Sequence, residues 1–263
     1  MVEESAVRDL VVGNPKVRVP LPHGVFCSGC TYGNVIRILC EALDELNIDD
    51  RAVGLSGVGC SFGAFNAFIN IDFCTCPHGR APAVATAIKR FHPDTIVFTV
   101  QGDGDLGAIG LGCWMNALHR GDKLTTIFLN NACFGTTGGQ MAPTTPLGMR
   151  TTTSSEGRDP DTTGVPFHGA ELAASMRTVA YSARCSTHTP SNFRQAKKAV
   201  KTAFRKQIDG VGYSFVELVS ACPTNWKLSP VQCLEFIENT MLAEYPLGEF
   251  KNVDSIDLTA QRS

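Results

Sequence analysis

The 263-residue sequence has no excess of either charge. Lysine and arginine together number 23 and aspartate and glutamate 25, which gives a formal net charge of −2 at pH 7. A chain this close to neutrality has no general attraction for polyanions, so the composition argues against nucleic acid and anionic membranes as partners. With 43% apolar and 18% charged residues, the composition is that of a globular protein.

The sequence also lacks the segments that are typical of membrane and exported proteins. Residues 52–71 carry no charge, but they include four glycines and two asparagines, which a lipid-facing helix tolerates poorly. The first ten residues, MVEESAVRDL, have neither the basic start nor the apolar run of a secretory signal. We therefore expect a cytoplasmic protein without a membrane span.

The apolar pattern alternates between the periods of helices and strands. It predicts helices at 32–47, 82–91, 106–120 and from about 191, and strands at 52–57, 95–101, 124–131 and 213–221. Such alternation predicts an α/β fold with a parallel sheet flanked by helices. No internal repeat or sharp linker divides the chain. Residues 131–168, rich in Gly, Thr, Ser and Pro, have no clear period and are expected to form a functional loop.

Polar residues follow two of the predicted strands at a spacing that indicates a thiamine diphosphate site. Gly102-Asp103-Gly104 is followed, after 25 residues, by Asn130-Asn131. The two glycines would let the backbone approach a diphosphate, beside the N-terminus of the helix that begins near residue 106. Asp103 and Asn131, with the diphosphate and a backbone carbonyl near Cys133, would ligate Mg²⁺. Either motif alone is a common turn or loop start.

Asp105 follows this motif directly and has two interpretations. It could be a third ligand of the ion or cofactor, but a carboxylate in the first turn of a helix, stabilised by the helix dipole, is the favoured one.

Eleven cysteines in a cytoplasmic chain are not expected to form disulfides, because reducing thiol pools keep such bridges open. Four of them lie before a predicted helix or at strand ends and could hold a 4Fe-4S cluster or a structural zinc: Cys27, Cys30, Cys60 and Cys222. Spacing does not choose between the metals, and Cys74, Cys76 and His78 form a competing ligand group. Cys40 and Cys113, in predicted helices, are expected to be packing residues.

Six blocks together resemble the thiamine diphosphate-binding β subunit of the 2-oxoacid:ferredoxin oxidoreductases. They are CSGC, GVGCS, HGRAPAVATAIK, QGDGDLGAIG, TGGQMAPTTPLG and ACPTNW, and they extend from about Cys27 to Trp226. The branched-chain type, which acts on 2-oxoisovalerate, is the most similar, through GVGCSFGAFN and TTTSSEGRDP. Gly63 stands where 2-oxoglutarate-type relatives tend to have a basic residue, which favours a substrate with an apolar side chain.

The resemblance implies a CoA-dependent oxidative decarboxylation of a small 2-oxoacid to acyl-CoA and CO2, with electrons passed through a 4Fe-4S cluster to ferredoxin. It assigns the cluster to Cys27, Cys30, Cys60 and Cys222. It implies an α subunit with a pyrimidine-binding domain, and γ and ferredoxin-like δ subunits as further partners. The whole chain, 1–263, would be one thiamine diphosphate-binding domain with a cluster-ligand segment at about 20–31 and a C-terminal extension at about 228–263.

Further site residues follow from the same resemblance. His78 and Arg80 would face the cofactor phosphates or the substrate carboxylate, or would simply anchor a loop. The residues expected to border the cofactor are Gly59, Cys60, Ser61, Thr137, Gly138, Gly139 and Gln140. A basic helix face could bind an acidic ferredoxin, but a solvated face is favoured. Its residues are Lys197, Lys198, Lys201, Arg205 and Lys206. Within the family, 2-oxoglutarate, pyruvate and an aryl pyruvate stay open as alternative substrates. Outside it, the alternatives are a non-redox thiamine diphosphate decarboxylase and a non-catalytic metal-binding module.

Overall fold

A computed structural model describes residues 14–19, 25–62 and 64–257 of the chain. Its helices are α1 (Tyr32–Leu46), α2 (Ala64–Phe68), α3 (Ala81–Phe91), α4 (Leu111–Arg120), α5 (Pro160–Thr163), α6 (Gly169–Ser175), α7 (Pro190–Ile208), α8 (Pro223–Trp226), α9 (Pro230–Phe236) and α10 (Leu242–Glu244). Its strands are β1 (Ala52–Ser56), β2 (Asp72–Thr75), β3 (Ile96–Gly102), β4 (Thr125–Asn130), β5 (Cys133–Phe134), β6 (Gln140–Met141), β7 (Val179–Ser186), β8 (Tyr213–Val219) and β9 (Gly248–Asn252). A 3₁₀ turn (Asp49–Arg51) and two π-helical segments (Gly104–Ile109 and Ile237–Met241) complete the set.

Seven of the strands form one sheet in the order β2-β1-β3-β4-β8-β7-β9. All neighbours are parallel except β9, which runs antiparallel to β7 at the edge. β5 and β6 form a separate hairpin within the long loop. The predicted α/β fold with a parallel sheet flanked by helices is confirmed.

Two apolar layers, one on each face of the sheet, form most of the core of the described residues, and a smaller cluster surrounds Cys233 and Tyr245. Because side chains alternate along a strand, Phe98 on β3 packs with α1 and α7 while its neighbour Val97 packs with α3 and α4. β3, β4 and β8 are almost wholly buried, as the continuous apolar runs predict for a parallel sheet. Their carboxyl ends therefore open at one edge of the sheet.

The sequence pattern missed β2, β7 and β9. β2 and β9 are short edge strands with exposed polar residues, as edge strands often are. β7 is buried, but Arg184 interrupts its apolar run. The structure accommodates that arginine because its Nε lies 3.0 Å from the buried Glu217 of β8.

The basic face of α7 is largely paired within the chain. Lys197 contacts Glu41 and Glu45 of α1, both at 2.9 Å, and Lys201 contacts Glu45 at 2.5 Å. These charges bind helix to helix, so the face offers few free cations to an acidic partner. Among the described residues, no helix is both long and apolar enough to cross a bilayer.

Candidate active site

A cleft of about 520 Å³ opens where β1, β3 and β4 end. This is where ligands bind in open α/β sheets. The residues that line it are Tyr32, Val58, Gly59, Cys60, His78, Gly102, Asp103, Gly104, Asp105, Asn131, Cys133, Phe134, Gly135, Thr136 and Thr137. The two polar motifs of the sequence thus meet in one cavity.

Asp103 lies at the floor of this cleft with 2% of its surface exposed. Its carboxylate accepts hydrogen bonds from the backbone N–H of Gly104 at 2.8 Å, the backbone N–H of Cys133 at 3.2 Å and the hydroxyl of Thr144 at 2.7 Å. Burial raises the pKa of Asp103 to about 7, although these donors oppose the shift. A buried carboxylate of this kind is stabilised as an anion by a cation beside it.

Three oxygens lie close together at this place: Oδ2 of Asp103, the side-chain oxygen of Asn131 and the carbonyl oxygen of Cys133. The side-chain oxygen of Asn131 faces the carbonyl oxygen of Cys133 at 3.0 Å and Oδ2 of Asp103 at 3.2 Å. Only a reversed amide would place an N–H donor between them. Adjacent ligands of an octahedral Mg²⁺ with 2.1 Å bonds lie about 3.0 Å apart. The spacing therefore fits a magnesium ion, and the reversed amide would satisfy the same oxygens without one.

The turn that carries two of these oxygens is tightly held. Ala132, between Asn131 and Cys133, has a positive φ of 60°, which costs free energy for a residue with a Cβ. The side chain of Asn130 accepts its N–H at 3.2 Å, and the hydroxyl of Thr145 donates to its carbonyl at 2.6 Å. The indole N–H of Trp226 donates to the backbone carbonyl of Asn131 at 3.1 Å. These bonds fix the direction of both oxygens.

Asp105 lines the cleft and joins β3 to the loops that follow β1 and β2. Its carboxylate accepts from the backbone N–H of Val58 at 3.1 Å and of Gly79 at 2.7 Å, and from the Gln101 amide at 2.5 Å. His78 Nδ1 donates to it at 2.5 Å. A carboxylate can only accept a hydrogen bond, so Nδ1 is the donor of this pair, and His78 itself lines the cleft. The carboxylate thus holds loops rather than capping a regular helix, and the segment that begins at Gly104 is π-helical.

The two glycines of the motif have different surroundings. A Cβ on Gly102 would meet only the hydroxyl oxygen of Tyr32, at 4.0 Å, whereas a Cβ on Gly104 would lie 2.2 Å from the ring of Phe134. Gly102 therefore leaves room for a ligand beside its Cα. Gly104 leaves room for an aromatic side chain of the protein instead.

Several expected site residues lie away from the cleft lining. Arg80 is exposed, and its guanidinium lies 3.0 Å from the thiol of Cys113. Ser61 is buried, with no hydrogen-bond partner for its hydroxyl among the described residues. Of the four residues 137–140, only Thr137 borders the cleft. A Cβ on Gly139 would meet Asn225 at 2.9 Å, and Gln140 bonds back to Thr137, while Gly138 has open space beside it.

A second cavity of about 1210 Å³ adjoins the first and contains the four expected cluster ligands. Cys27, Cys30, Cys60 and Cys222 line it together with apolar side chains that include those of Val25, Phe26 and Phe62. Cys74 and Cys76 are not in its lining and pack in the core on the other face of the sheet. All eleven cysteines are free thiols. The four cysteines that the family resemblance assigns to a cluster thus line one cavity, and Cys74 and Cys76 do not line it.

The thiols in this second cavity influence one another. Burial raises the pKa of Cys30 to about 12, and the thiols of Cys222, Cys60 and Cys27 add to the effect. A hydrogen bond from Cys133 lowers the pKa of Cys222 to about 6, and the Asn225 amide donates to the same sulfur at 3.2 Å. Cys222 is thus prepared as a thiolate, which is the form that ligates metals.

As they stand, no three His, Cys, Asp or Glu side chains of the described segments are grouped closely enough to hold a metal ion. The oxygens beside Asp103 come from one carboxylate, one amide and one backbone carbonyl. The sequence pattern missed Tyr32, Val58, Phe134, Gly135 and Thr136 as cleft residues, because side chains from neighbouring loops carry no motif of their own. Gly63 lies outside the described residues, as do positions 20–24 of the expected cluster-ligand segment.

Comparison with known proteins agrees with this geometry. Residues 57–218 match the thiamine pyrophosphate enzyme C-terminal TPP-binding domain. The 2-oxoglutarate synthase subunit KorB of Methanocaldococcus jannaschii is 35% identical over 84% of this chain and 79% of its own length. The chain belongs to the thiamine pyrophosphate-binding subunits of the 2-oxoacid:ferredoxin oxidoreductase family. The family resemblance seen in the sequence is confirmed.

Two further comparisons refine this membership. The ketoisovalerate oxidoreductase subunit VorA of Methanothermobacter thermautotrophicus is 42% identical to this chain over 86% of its length. The match covers 47% of VorA, so this chain spans about half the length of that relative. A solved 2-oxoglutarate:ferredoxin oxidoreductase from Magnetococcus marinus matches with a TM-score of 0.78 at 22% identity, covering 94% of this chain and 88% of that one. At that identity, the structural match shows only that the two folds are similar.

Proposed function

We propose that this chain is the β subunit of a 2-oxoacid:ferredoxin oxidoreductase and binds thiamine diphosphate through Mg²⁺. The observation that carries the proposal is the group of three oxygens from Asp103, Asn131 and Cys133 at adjoining strand ends. When bound, thiamine diphosphate supplies a carbon nucleophile for the 2-oxo carbon and an electron sink for the loss of CO2.

The chain's own residues have distinct tasks in this proposal. Asp103, Asn131 and the Cys133 carbonyl hold the ion, and the open space beside Gly102 receives the diphosphate. His78, held by Asp105, lines the cleft, where it can bind or exchange a proton with the substrate. Arg80 is not among the residues that line the cleft, and we propose no catalytic role for it.

The four cysteines of the adjoining cavity would hold the 4Fe-4S cluster. Thiolates in an apolar shell with amide donors are what such clusters require, and Cys222 with its Asn225 partner fits this description. Since the two cavities share Tyr32, Gly59 and Cys60 in their walls, electrons released in one can reach the other. This proximity favours the oxidoreductase over a non-redox decarboxylase.

For the substrate we propose a branched-chain 2-oxoacid such as 2-oxoisovalerate. Support comes from the higher identity to ketoisovalerate subunits (42%) than to 2-oxoglutarate subunits (35%), and from Val58 and Phe134 in the cleft wall. 2-Oxoglutarate is the second candidate, because the remaining relatives include several 2-oxoglutarate synthase subunits. The proposal includes coenzyme A and ferredoxin as co-substrates, an α subunit that supplies the pyrimidine-binding domain, γ and δ subunits, and a cytoplasmic location.

The test is an anaerobic purification of the chain with its partner subunits, followed by iron and thiamine analysis. Viologen reduction is then measured with 2-oxoisovalerate, 2-oxoglutarate, pyruvate and an aryl pyruvate in the presence of coenzyme A. We expect four irons and one thiamine diphosphate per chain in this subunit's sites, and the highest kcat/KM with 2-oxoisovalerate. Equal kcat/KM with 2-oxoglutarate would contradict the substrate assignment, and absence of thiamine would contradict the proposed function itself.

A further inference from the structure

Tyr32 differs from the other tyrosines of the chain. The sequence has four tyrosines, and each has at most 2% of its surface exposed. The hydroxyl of Tyr213 bonds to Thr126 at 2.6 Å, that of Tyr245 donates to the Thr144 carbonyl at 2.5 Å, and that of Tyr181 bonds to Glu249. The hydroxyl of Tyr32 has no hydrogen bond with any described residue.

The ring of Tyr32 is buried, but its hydroxyl borders the cleft, where a ligand or water can bond to it. Packing alone does not need this oxygen. The ring of Tyr32 contacts Phe26 edge-to-face at 5.8 Å and Phe65 at 6.5 Å, and a phenylalanine would make the same contacts. The hydroxyl therefore calls for a function other than packing.

The position of the hydroxyl indicates where its partner would be. Tyr32 lines the cleft, and its oxygen is the one atom found near the place where a Cβ of Gly102 would be, at 4.0 Å. Gly102 is the residue beside which the proposed diphosphate has room. A phenol hydroxyl at this place can donate a hydrogen bond to an anionic acceptor.

We propose that Tyr32 is a cofactor-binding residue whose hydroxyl donates a hydrogen bond to the diphosphate held beside Gly102. This inference rests on the proposed function. The donor comes from the start of α1, next to Cys30 of the cysteine cavity and to Thr31, whose hydroxyl accepts the backbone N–H of Ala221 at 2.9 Å. One short segment thus contacts the cofactor, the cluster cavity and the residue before Cys222.

The test compares Tyr32→Phe with Tyr213→Phe in the complex purified with its partner subunits. Tyr213→Phe is the matched control, since it also removes a buried hydroxyl but far from any cleft residue. Dissociation constants for thiamine diphosphate, and for inorganic diphosphate as a fragment probe, are measured by titration in the presence of Mg²⁺. A hydrogen bond to a charged group predicts about tenfold weaker binding of both ligands to Tyr32→Phe, and a change within about twofold for Tyr213→Phe.

A second readout separates this role from a general structural one. Because the Tyr32 hydroxyl has no partner in the protein, the thermal midpoint of ligand-free Tyr32→Phe is expected to equal or exceed that of the wild type, whereas Tyr213→Phe should lower it. Thiamine diphosphate binding to Tyr32→Phe within twofold of the wild type would overturn the inference. So would a shift in the cluster midpoint potential with unchanged cofactor affinity. Failure of the wild-type complex itself to bind the cofactor would instead refute the proposed function.

Discussion

Asp105 offers a sharp test of how the cleft is built. Its carboxylate accepts four hydrogen bonds, from the N–H groups of Val58 and Gly79, the amide of Gln101 and Nδ1 of His78, and it lines the cleft itself. Asp105→Ala removes the acceptor for all of them. At about 1 to 1.5 kcal/mol for each buried donor left unpaired, we expect a loss of about 4 kcal/mol in the free energy of unfolding. That is a large part of the stability of an ordinary domain.

Asp105→Asn should cost much less. Its amide oxygen can keep the bonds to the two backbone N–H groups, and its NH2 then faces Gln101, whose own side-chain oxygen is buried without a partner in the described structure. Rotation of the Gln101 amide pairs the two side chains, so we expect a loss of about 1 to 2 kcal/mol. The two substitutions thus separate the loss of hydrogen bonds from the loss of charge.

The assay is guanidinium unfolding of the purified protein, followed by tryptophan fluorescence and analysed by linear extrapolation. Asp209→Ala, at an exposed aspartate at the end of α7, is the control and should stay within about 0.5 kcal/mol of the wild type. The reasoning is refuted if Asp105→Ala loses less than 1 kcal/mol, or if Asp105→Asn is as unstable as Asp105→Ala.

Three further substitutions test other parts of the structure. Gly79→Ala places a Cβ 2.6 Å from a backbone nitrogen at a φ of +74°, so we expect at least 2 kcal/mol of lost stability in the same assay; a neutral effect would contradict the close approach of this loop. Glu217→Gln removes the charge that faces Arg184 in the sheet, where both side chains are fully buried, and should cost about 3 kcal/mol in guanidinium unfolding; a loss below 1 kcal/mol would show that the pair is dispensable. Arg80→Ala should leave kcat of the assembled enzyme within about twofold, whereas His78→Ala should lower it at least tenfold, and equal losses in viologen reduction would contradict the placement of these two residues.

The central part of the sheet could be predicted from the sequence because burial on both faces leaves a continuous apolar run. TIVFTVQ and LTTIFLNN have this pattern, and they form β3 and β4. β7 has the same burial but contains Arg184, whose partner Glu217 lies 33 positions away in sequence, so no local pattern reveals that its charge is compensated. Edge strands such as β9 bury too little apolar surface to leave a signal.

The candidate site also has some residues that the sequence predicts and others that it does not. Asp103 and Asn131 are predictable because each follows a buried strand, so the parallel topology brings them to one edge of the sheet. Position does not single out the four cysteines, since Cys76 also follows a strand, and it was the family resemblance that selected them. The contrast between Gly102 and Gly104 was not predictable, since it depends on where the ring of Phe134 packs. The separation of His78 from Arg80, and the unpaired hydroxyl of Tyr32, likewise arise from tertiary contacts.

The central claim is that Asp103 and Asn131 bind one magnesium ion, which holds the cofactor beside the cysteine cavity. A density map of the assembled complex, prepared without oxygen and with Mg²⁺ and thiamine diphosphate added, tests it directly. The account predicts an octahedral ion bound by the Asp103 carboxylate, the Asn131 side-chain oxygen, the Cys133 carbonyl, two phosphate oxygens and one water. A cofactor bound with its diphosphate elsewhere, or an Asn131 amide that turns its N–H toward Asp103 with the cofactor in place, would contradict it.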